Sequence, residues 1–368
     1  MITGLLLIEM SLTFECSVGV MGQIRTLSSI VGVVFSLLMG VLCVLFKHKS
    51  LLLTGLFFVG VSALGCSFSP NFTVVLIFYS LTGLAMALVM PMTTTLVGEH
   101  FSLEKRASAM GWVIAGMSLS YVIGAPIVSF IADFGSWRMT FFGFLLPIAI
   151  LGFLLVVMGL PSTSSPKPTM SKASYSEGFK EVFSNKSACA CLIGFALSAA
   201  GWQAILLYSV SFFRQRFLVS TGFATAILLG AALSYTFGSL VGGRFVNRFG
   251  RKTLTVLGCL LLGMFTISFT NLPNLWLSLA FSYLGTFFAG IRYTASSSLT
   301  LEQVPKYRGT MMSIFSAADS LGSAFGAGLG GLLLLLYNYE LLGISLGAIG
   351  IAAAGIFHLL VINQPPPS

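Results

Sequence analysis

Long apolar runs of about 18–25 residues, parted by short polar turns, make up nearly all of this chain. At a rise of ~1.5 Å per residue, such a run forms a helix that crosses a hydrocarbon layer of ~30 Å. Strands of a membrane barrel alternate polar and apolar side chains; these runs are continuous, which excludes a closed barrel. Twelve spans are expected, at 2–20, 24–46, 51–68, 72–98, 107–131, 139–160, 187–210, 221–243, 253–270, 275–300, 310–336 and 341–362. The expected fold class is an all-α membrane protein with twelve transmembrane helices.

Charge supports this. Of 368 residues, 56% are hydrophobic and only 8% charged, too few to cover the surface of a soluble protein of this length. The net charge of +9 does not point to nucleic acid, because the basic residues sit in loops between apolar runs. The six cysteines all fall inside expected spans and read as small core residues, and Cys189-x-Cys191 lacks the further ligands a metal site needs. No cleavable signal pattern is expected, since the first run starts at Ile2 without a basic stretch before it.

Lys and Arg resist translocation, so the loops give an orientation. One set of loops holds Lys47, Lys49, Lys105, Arg106, Lys167, Lys172, Lys180, Lys186, Arg244, Arg248, Arg251, Lys252, Lys306 and Arg308. The other holds Arg138, Arg214 and Arg216, with Arg25 at a boundary. The first set is expected in the cytoplasm, with both termini, in a multi-pass protein of the plasma membrane. The Pro- and Ser-rich stretch 161–186 reads as a cytoplasmic linker with a short amphipathic helix near Tyr175–Phe183. It divides the chain into two six-helix bundles, 1–160 and 187–368.

The two parts look alike. Gly83 and Arg106 are spaced as Gly285 and Arg308 are, and the Gly40 turn answers the Gly243 turn at an offset of about two hundred residues. Small-residue helices follow in each part: Gly116, Gly124 and Pro126 in the first, Gly322, Gly326 and Gly330 in the second. The second set lies on one helix face, where small residues let backbones approach. Pro126 lacks a backbone donor and should bend its helix.

The stretch Gly243 to Lys252, GRFVNRFGRK, resembles the signature loop of the major facilitator superfamily, whose pattern runs Gly-x-x-x-Asp-Arg-x-Gly-Arg-Lys. Gly243, Arg248, Gly250, Arg251 and Lys252 fit, and Asn247 replaces the acid. In the first copy Gly40 and Lys49 fit, while Val44 replaces the acid and Lys47 the second glycine. The resemblance implies that this loop gates the cytoplasmic side and that Val44 cannot form the lock an acid would. Glu15 through Ile24 is similar to the opening of the drug and sugar efflux members. Gly124-Ala-Pro126 is similar to the antiporter Gly-Pro motif with Ala125 inserted, and Tyr79 stands where proton antiporters often place an arginine ahead of Gly83. The family's path is lined by helices one, four, seven and ten, which makes Tyr79, Trp202, Gln203 and Tyr293 candidate path residues.

Charged side chains inside a bilayer are costly and line a cavity or find a partner. The candidates are Glu9, Glu15, Arg292 and Asp319. Arg292 and Asp319 are expected at similar depths, ~12 and ~13 Å from the inner face, with Glu9 at a similar level. Two readings stay open: Arg292 faces a substrate cavity, or it forms a structural pair with Asp319. His48, His100 and His358 read as bystanders, and no nucleotide-binding loop or catalytic constellation is present. The expected function is secondary transport of a small organic solute by alternating access, as proton-coupled efflux with Glu15 carrying the proton. The alternatives are uptake or facilitated transport of an organic anion, or a non-transporting membrane sensor. No enzyme activity, cofactor or metal is expected. The expected partners are the solute, protons and the lipid bilayer, with the protein a monomer.

Overall fold

The computed structural model describes residues 2–101, 105, 109, 112, 113, 116, 120, 122–161 and 172–362, without the side chains at 40, 41, 44, 98, 172–176, 247, 308 and 309. Ten helices among these residues are long and apolar enough to cross a membrane. They include α3 (Gln23–Leu45), which continues the short α2 (Val18–Met21), α4 (His48–Ser67) and α5 (Phe72–His100). A sixth-span helix runs through α7 (Trp137–Thr140), a π-turn and α8 (Leu146–Gly159). After the linker come α10 (Lys186–Phe217), α11 (Thr221–Phe249), α12 (Arg251–Asn271), α13 (Leu275–Gln303), α14 (Arg308–Leu336) and α15 (Tyr339–Leu360). The remaining apolar helices are shorter: α1 (Ile2–Thr13) and α6 (Gly124–Phe134). Much of the fifth expected span, 107–131, and most of the linker before 172 lie outside the described residues. The expected linker helix is present as α9 (Lys172–Ser184), packed on α10 and α14.

Short loops reverse the chain between consecutive helices, so helix ends fall on two faces. The linker face holds the ends near residues 47, 100, 160, 250 and 304–307; the far face holds those near 14–17, 68–71, 135, 218–220, 272–274 and 337. Caps account for many starts. Asn71, Asn185, Ser220, Asn274 and Asn338 each accept from a backbone N–H in the first turn of the following helix. At the α11–α12 turn, Gly250 has φ +83°, a left-handed conformation that favours glycine. Its position in the sequence motif is therefore a backbone requirement.

The first expected span needs correction. α1 ends at Thr13, and Ser17 caps a new helix by accepting from the Val20 N–H at 3.2 Å. Between them the chain turns through Glu15 at φ +51°, with its side chain exposed. Glu15 therefore sits in a far-face loop and not within a span. α6 begins at Gly124, after a turn residue at Ile123, and most of the helix on the other side of the bend expected at Pro126 lies outside the described residues.

Among the described residues, the elements before and after the linker meet along three main seams: α1 with α10, α2 and α3 with α14, and α6 with α11. On the second seam, Ser29 Oγ donates to Ser323 Oγ at 2.9 Å and Gln23 Nε2 to the Gly328 carbonyl at 3.4 Å. A Cβ on Gly19 would lie 2.3 Å from the Gly331 carbonyl oxygen, so glycine permits this approach. The stripe of Gly322, Gly326 and Gly330 turns elsewhere. Cβ atoms on these residues would meet the Ala196 oxygen at 2.3 Å, the Ala200 oxygen at 2.1 Å and Tyr208 Cε2 at 2.7 Å, all on α10. This stripe is a packing contact between α10 and α14, both after the linker.

Candidate functional site

Arg292 is completely buried on α13. It lies about eleven residues, or ~16 Å, from the linker-face end of its helix, and Asp319 lies the same distance into α14. Gly258 on α12 makes the room: a Cβ there would stand 2.9 Å from the Arg292 Cβ. The guanidinium stacks 5.4 Å above the Phe195 ring, and its Nη1 donates to Ser198 Oγ at 2.6 Å. Its Nε and Nη2 have no hydrogen-bond partner among the described residues. Among those residues Arg292 also makes no ion pair: Asp319 is within electrostatic reach but not in salt-bridge contact. The structural Arg292–Asp319 pair held open by the sequence is thus not formed in this conformation.

Asp319 is half-buried and lies in the fields of two cations, Arg292 and Arg25. Arg25 comes from α3, across the seam. Tyr293, beside Arg292, is 39% exposed although it is in mid-helix, and its ring lies 6.0 Å from Phe195 and 6.3 Å from Phe315. Tyr293 and Asp319 thus keep uncovered surface at mid-depth, and the space beside them is the candidate chamber. The Ser29–Ser323 contact lies about one helical turn from Asp319, toward the far face.

Glu9 has a different partner from those expected. Arg214, near the far end of α10, donates from Nη1 to Glu9 Oε1 at 2.5 Å. This places Glu9 nearer the far face than Arg292 and Asp319, as an ion pair tying α1 to α10. The second Glu9 oxygen is buried without a partner among the described residues. Tyr79 is also a tie: buried on α5, its hydroxyl hydrogen-bonds Thr3 Oγ1 at 3.1 Å. Trp202 is buried and stacked on Tyr235 at 5.0 Å, while Gln203 next to it is half-buried.

The expected gating loop divides. Arg251 Nε donates to Ser298 Oγ at 2.9 Å and its Nη1 pairs with Glu302, which clamps the start of α12 to the end of α13. Arg248 stacks on its neighbour Phe249, and Lys252 is half-buried. A Cβ on Gly243 would have only Thr294 Cγ2 near it, at 3.9 Å. The Asn247 side chain and Gly40's surroundings are outside the described residues. Lys49 donates to the Val157 carbonyl at 3.0 Å and to the Leu160 carbonyl, capping the end of α8. Gly116 has nothing within 4 Å of its Cβ position, and Gly124 is buried at the start of α6.

Sequence reasoning missed Arg214, Ser198 and the ion pair of His48 with Glu99, 2.5 Å apart. The third had a visible signal: His48 and Glu99 stand at the same offset, about two hundred residues, from Arg251 and Glu302. The first two depend on how neighbouring helices are rotated.

The family model of the Major Facilitator Superfamily matches residues 1–234 and 205–368, and so the whole chain. The chain belongs to the Major Facilitator Superfamily. YceJ, an MFS-type transporter of Bacillus subtilis (strain 168), is 26% identical over 78% of this chain and 73% of its own length. Multidrug resistance protein 2 of the same organism is also 26% identical over the same shares. A probable sugar efflux transporter of Helicobacter acinonychis (strain Sheeba) is 26% identical over 97% of this chain and 90% of its own. Among solved structures, the nucleoside transporter NupG aligns with a TM-score of 0.81 at 14% identity, covering 97% of this chain and 94% of that one. A bacterial homologue of the human lysosomal transporter Spinster, in an inward-facing and unoccupied conformation, aligns with a TM-score of 0.71 at 16% identity over 97% and 87%. At these identities the two structures show a shared fold. The protein is therefore a multi-pass membrane transporter, and not an enzyme.

Proposed function

We propose that the protein is a secondary active transporter that moves a small organic solute by alternating access. In this reading residues 1–160 and 187–368 form two bundles of six spans each, with the solute site between them at mid-depth. The observation that carries it is the asymmetry of closure. Among the described residues, the elements before and after the linker touch through Gly19–Gly331, Gln23–Gly328, Ser29–Ser323 and Glu9–Arg214, toward the far face, while Tyr293 and Asp319 stay partly exposed below them. With the lysine- and arginine-rich linker face in the cytoplasm of a cell with the protein in its plasma membrane, this is an inward-open conformation. The acting unit is a monomer.

Proton-coupled efflux is the proposed mode. The multidrug and sugar efflux names of relatives covering most of the chain support the direction. Glu15 is no longer the proton carrier in this reading, because it lies in an exposed loop. Asp319 takes that place, being the carboxylate inside the chamber among the described residues. The test is reconstitution in vesicles under an imposed proton gradient, with a solute panel screened for compounds that dissipate it. Solute-dependent proton flux is expected; solute crossing with no change of internal pH would leave facilitated transport.

One observation favours a second reading, uptake or facilitated flow of an organic anion. Two arginines, Arg25 and Arg292, act on one carboxylate, and the buried Arg292 guanidinium keeps two donors unused.

A further inference from the structure

We infer that the free edge of Arg292 is the docking point for the carboxylate of a monoanionic solute with an apolar or aromatic body. This rests on the transport reading, whose direction it does not need. The first argument is geometric. Nη1 is taken by Ser198 Oγ at 2.6 Å. The unused donors are Nε and Nη2. These two N–H groups project side by side from one edge of the guanidinium plane, the pair that grips both oxygens of a carboxylate at once. A hydroxyl or a carbonyl satisfies one of them; a carboxylate satisfies both. In this conformation both donors are buried without a partner among the described residues, a cost that a carboxylate reaching them would remove.

The second argument is charge. Arg25 and Arg292 are the two described cations that act on Asp319, two positive charges to one negative. An arginine does not shed its proton to relieve this. A bound monoanion balances the set; a neutral or cationic solute does not. The third argument is the wall. Phe195 and Phe315 stack at 3.8 Å beside the guanidinium, and Tyr293 closes the corner at 6.0 and 6.3 Å from the two rings. The group next to the carboxylate therefore meets aromatic surface. Asp319 has a defined part in this arrangement: it is the internal carboxylate that competes for the same cation.

Binding to purified protein in nanodiscs tests the assignment, with benzoate and hexanoate as probes and benzamide and hexanamide as uncharged isosteres, read by calorimetry and thermal shift. The acids should bind saturably and the amides at least tenfold more weakly. Arg292→Lys, which keeps the charge but not the paired edge, should weaken the acids at least tenfold. Asp319→Asn should tighten them several-fold. Equal binding of acids and amides, absence of acid binding to the folded wild type, or unchanged affinity in Arg292→Lys would overturn the assignment. A loss of acid binding in Asp319→Asn would also overturn it, by making Asp319 a ligand-supporting group and not a competitor. Acid binding without any flux in vesicles would sink the transport reading and leave the site standing.

Discussion

The parts of the chain before and after the linker carry the same clamp and a different interior. On the linker face, His48 with Glu99 and Arg251 with Glu302 join corresponding helix ends at the same offset of about two hundred residues. At mid-depth the likeness ends. The positions that answer to Arg292 and Asp319 fall at Val89 or Met90, and at Gly116 or Met117. The two parts thus share what holds helix ends together at the membrane surface, while Arg292 and Asp319 have no charged counterpart before the linker. A duplicated scaffold does not require a duplicated site.

The largest effect expected from breaking this comparison comes from packing. Gly326→Leu drives a side chain into the α10 backbone, where even a Cβ would be 2.1 Å from the Ala200 oxygen. It should cost about 3 kcal/mol or more and abolish folded yield by size-exclusion chromatography. Gly116→Leu, in the corresponding region before the linker, meets open space and should change stability by less than ~0.5 kcal/mol. Next is the far-face tie. Arg214→Gln leaves Glu9 unpaired and removes a contact across the α1–α10 seam. With Tyr293→Cys as the reporter in a background lacking the native cysteines, the fraction labelled by a thiol reagent added at the far face should rise about tenfold, as a change of ~1.4 kcal/mol implies.

The clamps come third. Arg251→Gln removes a charged double contact to Ser298 and Glu302, and should lower stability by about 1–2 kcal/mol in a thermal-shift assay. His48→Gln should cost less than ~1 kcal/mol, because it removes a single imidazole contact at a partly exposed site. Equal losses would mean the two clamps are energetically alike despite their chemistry. The last effect, smaller than the Arg251 loss, is at Tyr79: its change to Phe keeps the ring and loses the Thr3 bond, for about 1 kcal/mol.

Much of the scaffold was readable from residues alone. Continuous apolar runs and basic loops mark spans and faces because lipid leaves the backbone no other choice. The Gly250 turn was readable for a similar reason: it is a backbone constraint carried by one residue. The loop at 14–17 was not, since Phe14 and Cys16 are apolar and only the Ser17 cap marks the new helix. Which way a side chain faces also stayed hidden. Glu9 finds Arg214 and not Arg292, and the Gly322 stripe finds α10, because helix rotation is set by all neighbours together and not by any local pattern.

The central claim is that the far face is sealed where α3 meets α14 and must part for solute to cross. Ser29 and Ser323, with hydroxyl oxygens 2.9 Å apart, allow it to be tested by a disulfide between Ser29→Cys and Ser323→Cys, in a background lacking the native cysteines. Solute flux in vesicles should stop on oxidation and return on reduction. Flux that continues undiminished through the cross-linked protein would contradict the account.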